Sequence, residues 1–126
     1  MRVRRRTRHR EGDPLVADLR DALAPDRVRD DGAQRALSAH DASVFDGGLS
    51  GPVCYPVSTA EAQSIMRIAE THVRAAVPRG AGTGLAGGAI PLGGPVVVST
   101  GKMNRVLDID LENRVCLLYT SDAADE

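Results

Sequence analysis

The stretch "PRGAGTGLAGGAIP", residues 78–91, has five glycines in fourteen residues and one charged side chain, Arg79. Glycine loses more backbone entropy on folding than any other residue, so a cluster of it marks a place where the chain turns with positive φ or approaches something closely. Exposed N–H groups in such turns form concave nests that bind anions. A linker would instead be rich in Ser and polar residues, and this stretch lies between the apolar runs 75–77 and 96–98. The sequence therefore predicts a loop between two strands that holds a phosphate-bearing ligand.

Two well-known phosphate motifs do not fit this loop. The GxGxxG spacing that starts at Gly82 matches the Rossmann fingerprint, which requires a helix directly afterwards. Pro91 and the two glycines that follow it soon afterwards prevent such a helix. A P-loop fails as well, because Gly101-Lys102 is followed by Met103 where Ser or Thr is required. The ligand is therefore held by a different kind of loop.

Two helices are predicted before the loop. Asp13 as N-cap and Pro14 at the first helical position begin one, and Ala24-Pro25 ends it. The other spans about 59–71 behind the capping box "STAE", residues 58–61, in which the Ser hydroxyl and the Glu carboxylate each satisfy a free backbone N–H. The predicted buried face of this second helix consists of Ala62, Ile65, Met66 and Ala69.

The strand predictions complete an α+β reading. Residues 53–55 and 75–77 are short strands, and 96–98 is an apolar strand covered on both faces. From Leu107 onward apolar and acidic residues alternate, which predicts a half-buried strand followed by a hairpin turn at Glu112-Asn113. Residues 26–52 read as a partly helical, then irregular connector.

Composition and charge narrow the class of protein. The net charge is −1, yet residues 1–10 carry six arginines and no acid. With no aromatic residue among these arginines, the arm is read as a disordered, solvated terminus, and no nucleic acid is expected as a partner. We find no signal peptide or transmembrane run and expect a cytoplasmic protein. Cys54 and Cys116 lack metal or disulfide spacing, and Cys54 is read as a buried, inert thiol.

The remaining polar residues predict structure more than chemistry. His40, Asp41 and Ser43 contain the letters of a hydrolase triad, but neighbours in one turn rarely converge in that way, so a turn-forming role is predicted. His72 falls at the end of the second helix, where it complements the helix dipole. The acidic residues of the 107–112 strand are read as its solvent face, and no metal site is predicted.

The segment "PVCYPVSTAEAQSIMRIAETHVRAAVPRGAGTGLAGGAIP", together with "VVVST" and "MNRVLDID", resembles a known family. It is similar to the FAD-binding domain of the vanillyl-alcohol-oxidase/p-cresol-methylhydroxylase (PCMH-type) superfamily. The resemblance runs from about Ala39 to Val115 and is nearest to FAD-linked 2-hydroxy-acid oxidoreductases, such as glycolate oxidase FAD subunits and D-lactate dehydrogenases. It implies the first, pyrophosphate-binding subdomain of a two-lobed α+β domain.

The resemblance also implies a site. In the family this loop wraps the diphosphate of FAD, with N–H groups and the Thr83 hydroxyl donating to phosphate oxygens. Arg79 either adds charge there or simply faces solvent. Relatives with covalent flavin carry a histidine about where Thr83 stands, so the resemblance implies non-covalent FAD. The FAD-lining residues by this reading are Arg79, Gly80, Ala81, Gly82, Thr83, Gly84 and Leu85.

The last residues, "CLLYTSDAADE" at 116–126, interrupt the pattern. "CLLYT" can continue the preceding strand, but "SDAADE" follows no packing pattern, and the V-E-P-G-like segment of the family is absent. The run resembles the translation of a transposon-type sequencing adapter, in which TGTCTCTTATACACATCT reads Cys-Leu-Leu-Tyr-Thr-Ser. We therefore expect a non-native tail on an N-terminal fragment, with the catalytic residues C-terminal to it in the parent.

The sequence thus predicts four segments: a basic arm (1–12), a helical and irregular lead-in (13–52), a partial FAD-binding domain (53–115) and the tail (116–126). The predicted parent oxidises a 2-hydroxy acid with FAD and passes the electrons to an acceptor, which brings in electron-acceptor subunits as partners. The fragment itself is expected to be inactive. A stand-alone nucleotide-binding or anion-binding module without redox activity stays open as the alternative, and a nucleic-acid-associated protein ranks last.

Overall fold

The structure, a computed structural model, describes residues 12–118. The arginine-rich residues 1–10 and the tail from residue 119 onward lie outside this range. The elements in chain order are α1 (Pro14–Ala22), a 3-10 turn (Pro25–Arg27), β1 (Val28–Arg29), α2 (Gly32–Leu37), β2 (Val53–Cys54), α3 (Thr59–Thr71), β3 (Ala76–Arg79), β4 (Val96–Ser99), a second 3-10 turn (Thr100–Lys102), β5 (Val106–Asp110) and β6 (Val115–Leu118).

Four strands form one sheet in the order β1-β2-β4-β3. The strands β2, β4 and β3 are parallel, and β1 joins the edge of β2 antiparallel. Val97 of the central strand pairs with Val53 on one side and Val77 on the other. Every residue of β4 is buried, which confirms the prediction of an apolar strand covered on both faces.

Helices α1 and α3 pack together and cover the sheet. Leucines 15, 19 and 23 form one buried cluster with Ile65, Ala69, Val96 and Val98. The predicted caps are both present: Asp13 Oδ1 accepts from the Leu15 N–H at 3.1 Å, and the Ser58 hydroxyl accepts from the Glu61 N–H at 3.2 Å. The local signals therefore place both helix starts correctly.

The prediction of the buried α3 face is wrong at one residue, Met66. Met66 is 52% exposed, whereas Ile68 packs against the core. The contact with α1 and the sheet follows Ile65, Ile68 and Ala69, which are three and four residues apart and lie on one side of the helix. Met66 stands about a quarter-turn to the other side and faces solvent.

The connector 26–52 is more regular than the sequence predicts. It contains α2 and strand β1, in which Val28 is buried and pairs with Cys54. Arg27 is tied to the start of α3, where it binds both carboxylate oxygens of Glu61, one of them at 2.9 Å. The same carboxylate accepts the Val57 N–H at 2.8 Å. It therefore satisfies a backbone donor one residue before the Ser58 N-cap, and not the N-cap N–H that a capping box uses.

Strands β5 and β6 form an antiparallel hairpin, as predicted, but the strand is not half-buried. Leu107 is 46% exposed, Ile109 59% and Leu111 84%. No part of the described chain covers these side chains, so the alternation produces an apolar side without a burying partner. The strand β6 extends three residues into the predicted tail, to Leu118.

None of the helices within residues 12–118 has the length and apolar character needed to cross a lipid bilayer.

Candidate functional site

The glycine loop, defined as residues 80–88, leaves the end of β3 and begins the connection to the parallel strand β4. No helix occurs between Arg79 and Val96. The structure therefore confirms that the loop lacks the helix N-terminus of a Rossmann site. Any anion at this position is held by loop backbone and not by a helix dipole.

The loop glycines have two different roles. Gly82 and Gly87 have positive φ, 81° and 78°, so a side chain at either position is strained. Gly84 and Gly88 do not have positive φ, and a Cβ at either would meet no atom within 4 Å. The chain itself therefore has no need of glycine at position 84, where the bare backbone faces open space.

The backbone N–H groups of residues 81–85 have no backbone partner: within the described chain, none of them donates to a backbone carbonyl. Ala81, Thr83, Gly84 and Leu85 are exposed. Consecutive free N–H groups beside bare glycine backbone are what a phosphate oxygen can approach at hydrogen-bond distance. The loop thus fits the diphosphate of FAD.

A second segment, the flanking turn (residues 39–50), lies against the glycine loop. A Cβ at Gly87 would lie 2.8 Å from the Phe45 ring, and a Cβ at Gly48 would overlap the Pro91 carbonyl. The Gly48 N–H closes the turn on the Ala39 carbonyl at 2.8 Å. This contact was not predicted from the sequence, because residues 26–52 were described there only as a connector.

Arg79 points sideways toward the flanking turn. Its Nη1 donates to the His40 carbonyl at 2.6 Å, and a Cβ at Gly82 would overlap its guanidinium. The side chain is half-buried. The structure therefore places Arg79 over Gly82 and against the backbone of residue 40, a position that neither sequence alternative described.

The polar residues of the flanking turn form a turn and not a triad, as predicted. Asp41 Oδ1 accepts the Ser43 N–H at 2.9 Å, and the Ser43 hydroxyl accepts the Phe45 N–H at 3.4 Å. The hydrogen bonds from Ser43 hold the pKa of Asp41 below its usual range, and the Ala89 N–H and the Arg79 charge lower it further. A Cβ at Gly47 would overlap the His40 ring.

The other sequence candidates have structural partners. His72 is the C-cap residue of α3, as predicted, and its Nε2 lies 2.7 Å from Asp18 of α1. Burial raises the pKa of the Cys54 thiol to about 12, so this cysteine is inert, as predicted. Asp110 accepts the Asn113 N–H at 2.9 Å inside the hairpin turn. In residues 12–118 no three His, Cys, Asp or Glu side chains converge as a metal site.

The profile of the FAD binding domain family matches residues 52–118, more than half of the chain, and the chain belongs to this family. It is 36% identical over 103 residues to the glycolate oxidase subunit GlcD of Bacillus subtilis, covering 79% of this chain and 22% of that protein. It is 41% identical over 58 residues to a D-lactate dehydrogenase of Anaerostipes hadrus, covering 46% of this chain and 12% of that protein. The chain thus spans less than a quarter of the length of these relatives.

Solved structures share the fold. The 4-ethylphenol oxidase of Gulosibacter chungangensis superposes with a TM-score of 0.68 at 29% identity, covering 77% of this chain and 20% of that one. A p-cresol methylhydroxylase superposes with a TM-score of 0.70 at 20% identity, covering 79% of this chain and 20% of that one. The predicted PCMH-type resemblance, the α+β fold class and FAD as the cofactor are confirmed.

Proposed function

We propose that this chain supplies the pyrophosphate-binding lobe of an FAD-dependent oxidoreductase that oxidises a 2-hydroxy acid such as glycolate or D-lactate. The named activities of the relatives support the substrate class, since one is a glycolate oxidase subunit and another a D-lactate dehydrogenase. When bound, FAD would accept the hydride, and with it both electrons, from the α-carbon of the substrate.

The proposed FAD contact is the backbone from Arg79 to Leu85, with the Thr83 hydroxyl as an added donor. The single observation that carries this assignment is the open backbone at Gly84, where neither φ nor packing within the chain requires glycine. A close ligand is a physical reason to keep a side chain away from that position. Thr83 has no group that bonds covalently to flavin, so the bound FAD is proposed to be non-covalent.

The proposal includes the rest of the parent protein. The second wall of the FAD site, the substrate pocket and the catalytic residues are assigned to the polypeptide beyond residue 115. Several further statements stay predictions from the sequence. They are the division into segments 1–12, 13–52, 53–115 and 116–126, and the adapter origin of segment 116–126. They also include the inactivity of the fragment, the cytoplasmic location and the electron-acceptor subunits.

Position 84 offers a direct test. The complete reading frame that contains this chain is expressed, and its apoprotein is titrated with FAD by flavin fluorescence. We expect Gly84→Val to weaken FAD binding roughly ten- to a hundredfold, because overpacking costs about 1–3 kcal/mol. Its thermal stability without FAD should be unchanged, since the added side chain enters open space.

Gly88→Val is the matched control, because Gly88 is equally open but lies outside the proposed contact. It should bind FAD like the parent. Unchanged FAD affinity in Gly84→Val would show that the ligand does not approach this loop. Acid precipitation of the holoprotein tests covalency: all flavin should remain in the supernatant, and flavin in the pellet would contradict the non-covalent assignment.

A further inference from the structure

Arg79 is the one charged side chain next to the glycine loop in sequence, yet its guanidinium donates a hydrogen bond to another part of the protein. The guanidinium donates to the His40 carbonyl at 2.6 Å and lies where a side chain at Gly82 would have to be. Gly82 is also a residue of the loop with positive φ, 81°. Arg79 therefore fills the space beside the strained position and joins it to the flanking turn.

Asp41 lies next to this contact from the other segment. One carboxylate oxygen accepts the Ser43 N–H at 2.9 Å. The other, Oδ2, is buried and makes no hydrogen bond in the described part of the chain. A buried carboxylate oxygen is stabilised by a nearby positive charge, and the Arg79 guanidinium, bonded to the neighbouring residue, supplies one. The Asp41 carboxylate would repel a bound diphosphate, so its presence beside the glycine loop calls for a role in the structure of the loop.

We propose that Arg79 and Asp41 are positioning residues that hold the glycine loop in its FAD-binding shape from the side, and that Arg79 is not a phosphate ligand. This inference rests on the proposed FAD contact of the loop. Arg79 lies over Gly82, and the His40 carbonyl binds its guanidinium, while the neighbouring Asp41 carboxylate acts on it through its charge without forming an ion pair. The free N–H groups of residues 81–85 are then left to contact the ligand.

Neutralising Asp41 distinguishes the two roles by the sign of the effect. If the site attracts FAD only by charge, Asp41→Asn removes a repulsive charge and should tighten binding of the diphosphate. If Asp41 positions Arg79, the same change loosens the loop and should weaken binding. The substitution is nearly isosteric, and the asparagine oxygen can still accept the Ser43 N–H, so the charge is what changes.

The experiment titrates FAD into the apoprotein of the complete reading frame. We expect Asp41→Asn to raise the Kd for FAD about three- to tenfold and Arg79→Gln about ten- to a hundredfold, the latter through loss of a charge-assisted hydrogen bond. The Arg79→Gln factor should be the same at 50 mM and 500 mM salt, because a lost phosphate contact would be screened by salt whereas a misplaced loop would not. The Kd for FAD of the Asp41→Asn/Arg79→Gln double variant should rise by less than the product of the two single-variant factors, because the two residues act together.

The matched control is Asp110→Asn, which alters an equivalent carboxylate turn in the β5–β6 hairpin and should leave the Kd unchanged. Thermal melts of each apoprotein establish that it is folded. If a variant melts early, the amide chemical shifts of residues 80–88 in the other variant decide, and shifts that differ from those of the unmodified protein are expected there. Tighter FAD binding in Asp41→Asn, or a salt-dependent Arg79→Gln factor, would overturn the positioning role. Absence of FAD binding by the unmodified protein would instead contradict the proposed function.

Discussion

The strands β4 and β5 each contain three apolar residues, but their surroundings are opposite. All four residues of β4 are buried between two parallel neighbours and beneath the helices. In β5 four of the five residues are exposed, and within residues 12–118 the strand pairs with β6 alone. The apolar content of a strand therefore does not tell whether the chain covers it. Coverage of β4 comes from α1, α3, β2 and β3, whereas the described chain contains no equivalent for the hairpin.

The comparison divides the molecule into a sheet body (residues 13–103) and a hairpin (residues 106–118). Within residues 12–118, the buried hydrophobic cluster consists of residues of the body and contains none from the hairpin. Since stability follows buried apolar area, global unfolding should depend on the body alone. The hairpin should open locally at lower free energy.

The largest expected difference between the two regions is in the reactivity of their cysteine thiols. Cys54 is buried in β2 and Cys116 is exposed in β6. Thiol reagents attack the accessible thiolate, so Cys54 should react at least roughly a thousandfold more slowly than Cys116, because it needs global opening. Labelling with Ellman's reagent at pH 8, followed by mass spectrometry, measures both rates. In Cys116→Ser only the slow phase should remain; comparable rates would show that the sheet is not closed over Cys54.

One isoleucine in each region allows the free energy that its side chain contributes to folding to be compared. Ile65 is fully buried in α3, and Ile109 is 59% exposed in β5. We expect Ile65→Ala to lower the free energy of unfolding by about 2–5 kcal/mol and Ile109→Ala by less than about 0.5 kcal/mol. Urea denaturation of each variant gives the values. Equal losses would mean that the hairpin unfolds together with the body.

Two carboxylates, Glu61 in the body and Asp110 in the hairpin, allow the pH dependence of stability to be compared between the two regions. Hydrogen bonds from Arg27, and then from the Val57 N–H, lower the pKa of Glu61 from its ordinary value of 4.5. Because the folded-state pKa is depressed, the stabilisation is complete above the unfolded pKa and is lost as the pH falls through the folded pKa. At neutral pH we expect Glu61→Gln to cost about 1.5 kcal/mol, with a smaller difference from the parent below about pH 4.

In the hairpin, the hydrogen bonds from Asn113 likewise lower the pKa of Asp110. Asp110→Asn should nevertheless leave the global urea midpoint unchanged at every pH, because the hairpin is separate from the core. Urea melts from pH 3 to pH 7 test both variants. A Glu61→Gln protein with the parent's pH dependence would show that the Arg27 pair does not hold the start of α3.

The smallest effect concerns two residues in the left-handed region, Val73 with φ 52° and Arg114 with φ 56°. Val73 follows the cap of α3, where its N–H bonds the Glu70 carbonyl at 2.9 Å and the Arg74 N–H bonds that of Ala69 at 2.8 Å. This is the Schellman arrangement, in which glycine is usual. Val73→Gly should raise the free energy of unfolding by about 0.5–1 kcal/mol. Arg114→Gly should leave it unchanged, and a destabilised Val73→Gly protein would contradict the strain argument.

Much of the fold follows from local chemistry that can be read along the chain. The caps at Asp13 and Ser58, the buried run of β4 and the turn of the hairpin were all predicted from sequence and confirmed. Each depends on interactions between residues only a few positions apart, or on an unbroken apolar run. The strand β1 escaped prediction because two residues carry no periodicity, and only pairing with β2 defines them.

The candidate site likewise has features that the sequence predicts and features that depend on the tertiary structure. The glycine count and the absence of a following helix are sequence properties, and they predicted a loop that holds a phosphate-bearing ligand. FAD as that ligand, and its non-covalent attachment beside Thr83, came from the resemblance to the PCMH-type family. Only the tertiary structure decided that Gly82 needs positive φ while Gly84 faces open space, and that Arg79 binds the His40 carbonyl. Residues 40 and 79 are far apart in the chain, so no local pattern relates them. The exposure of Met66 and of the hairpin was decided in the same way, because burial depends on which surfaces meet after folding, and a periodic pattern describes only one of the two surfaces.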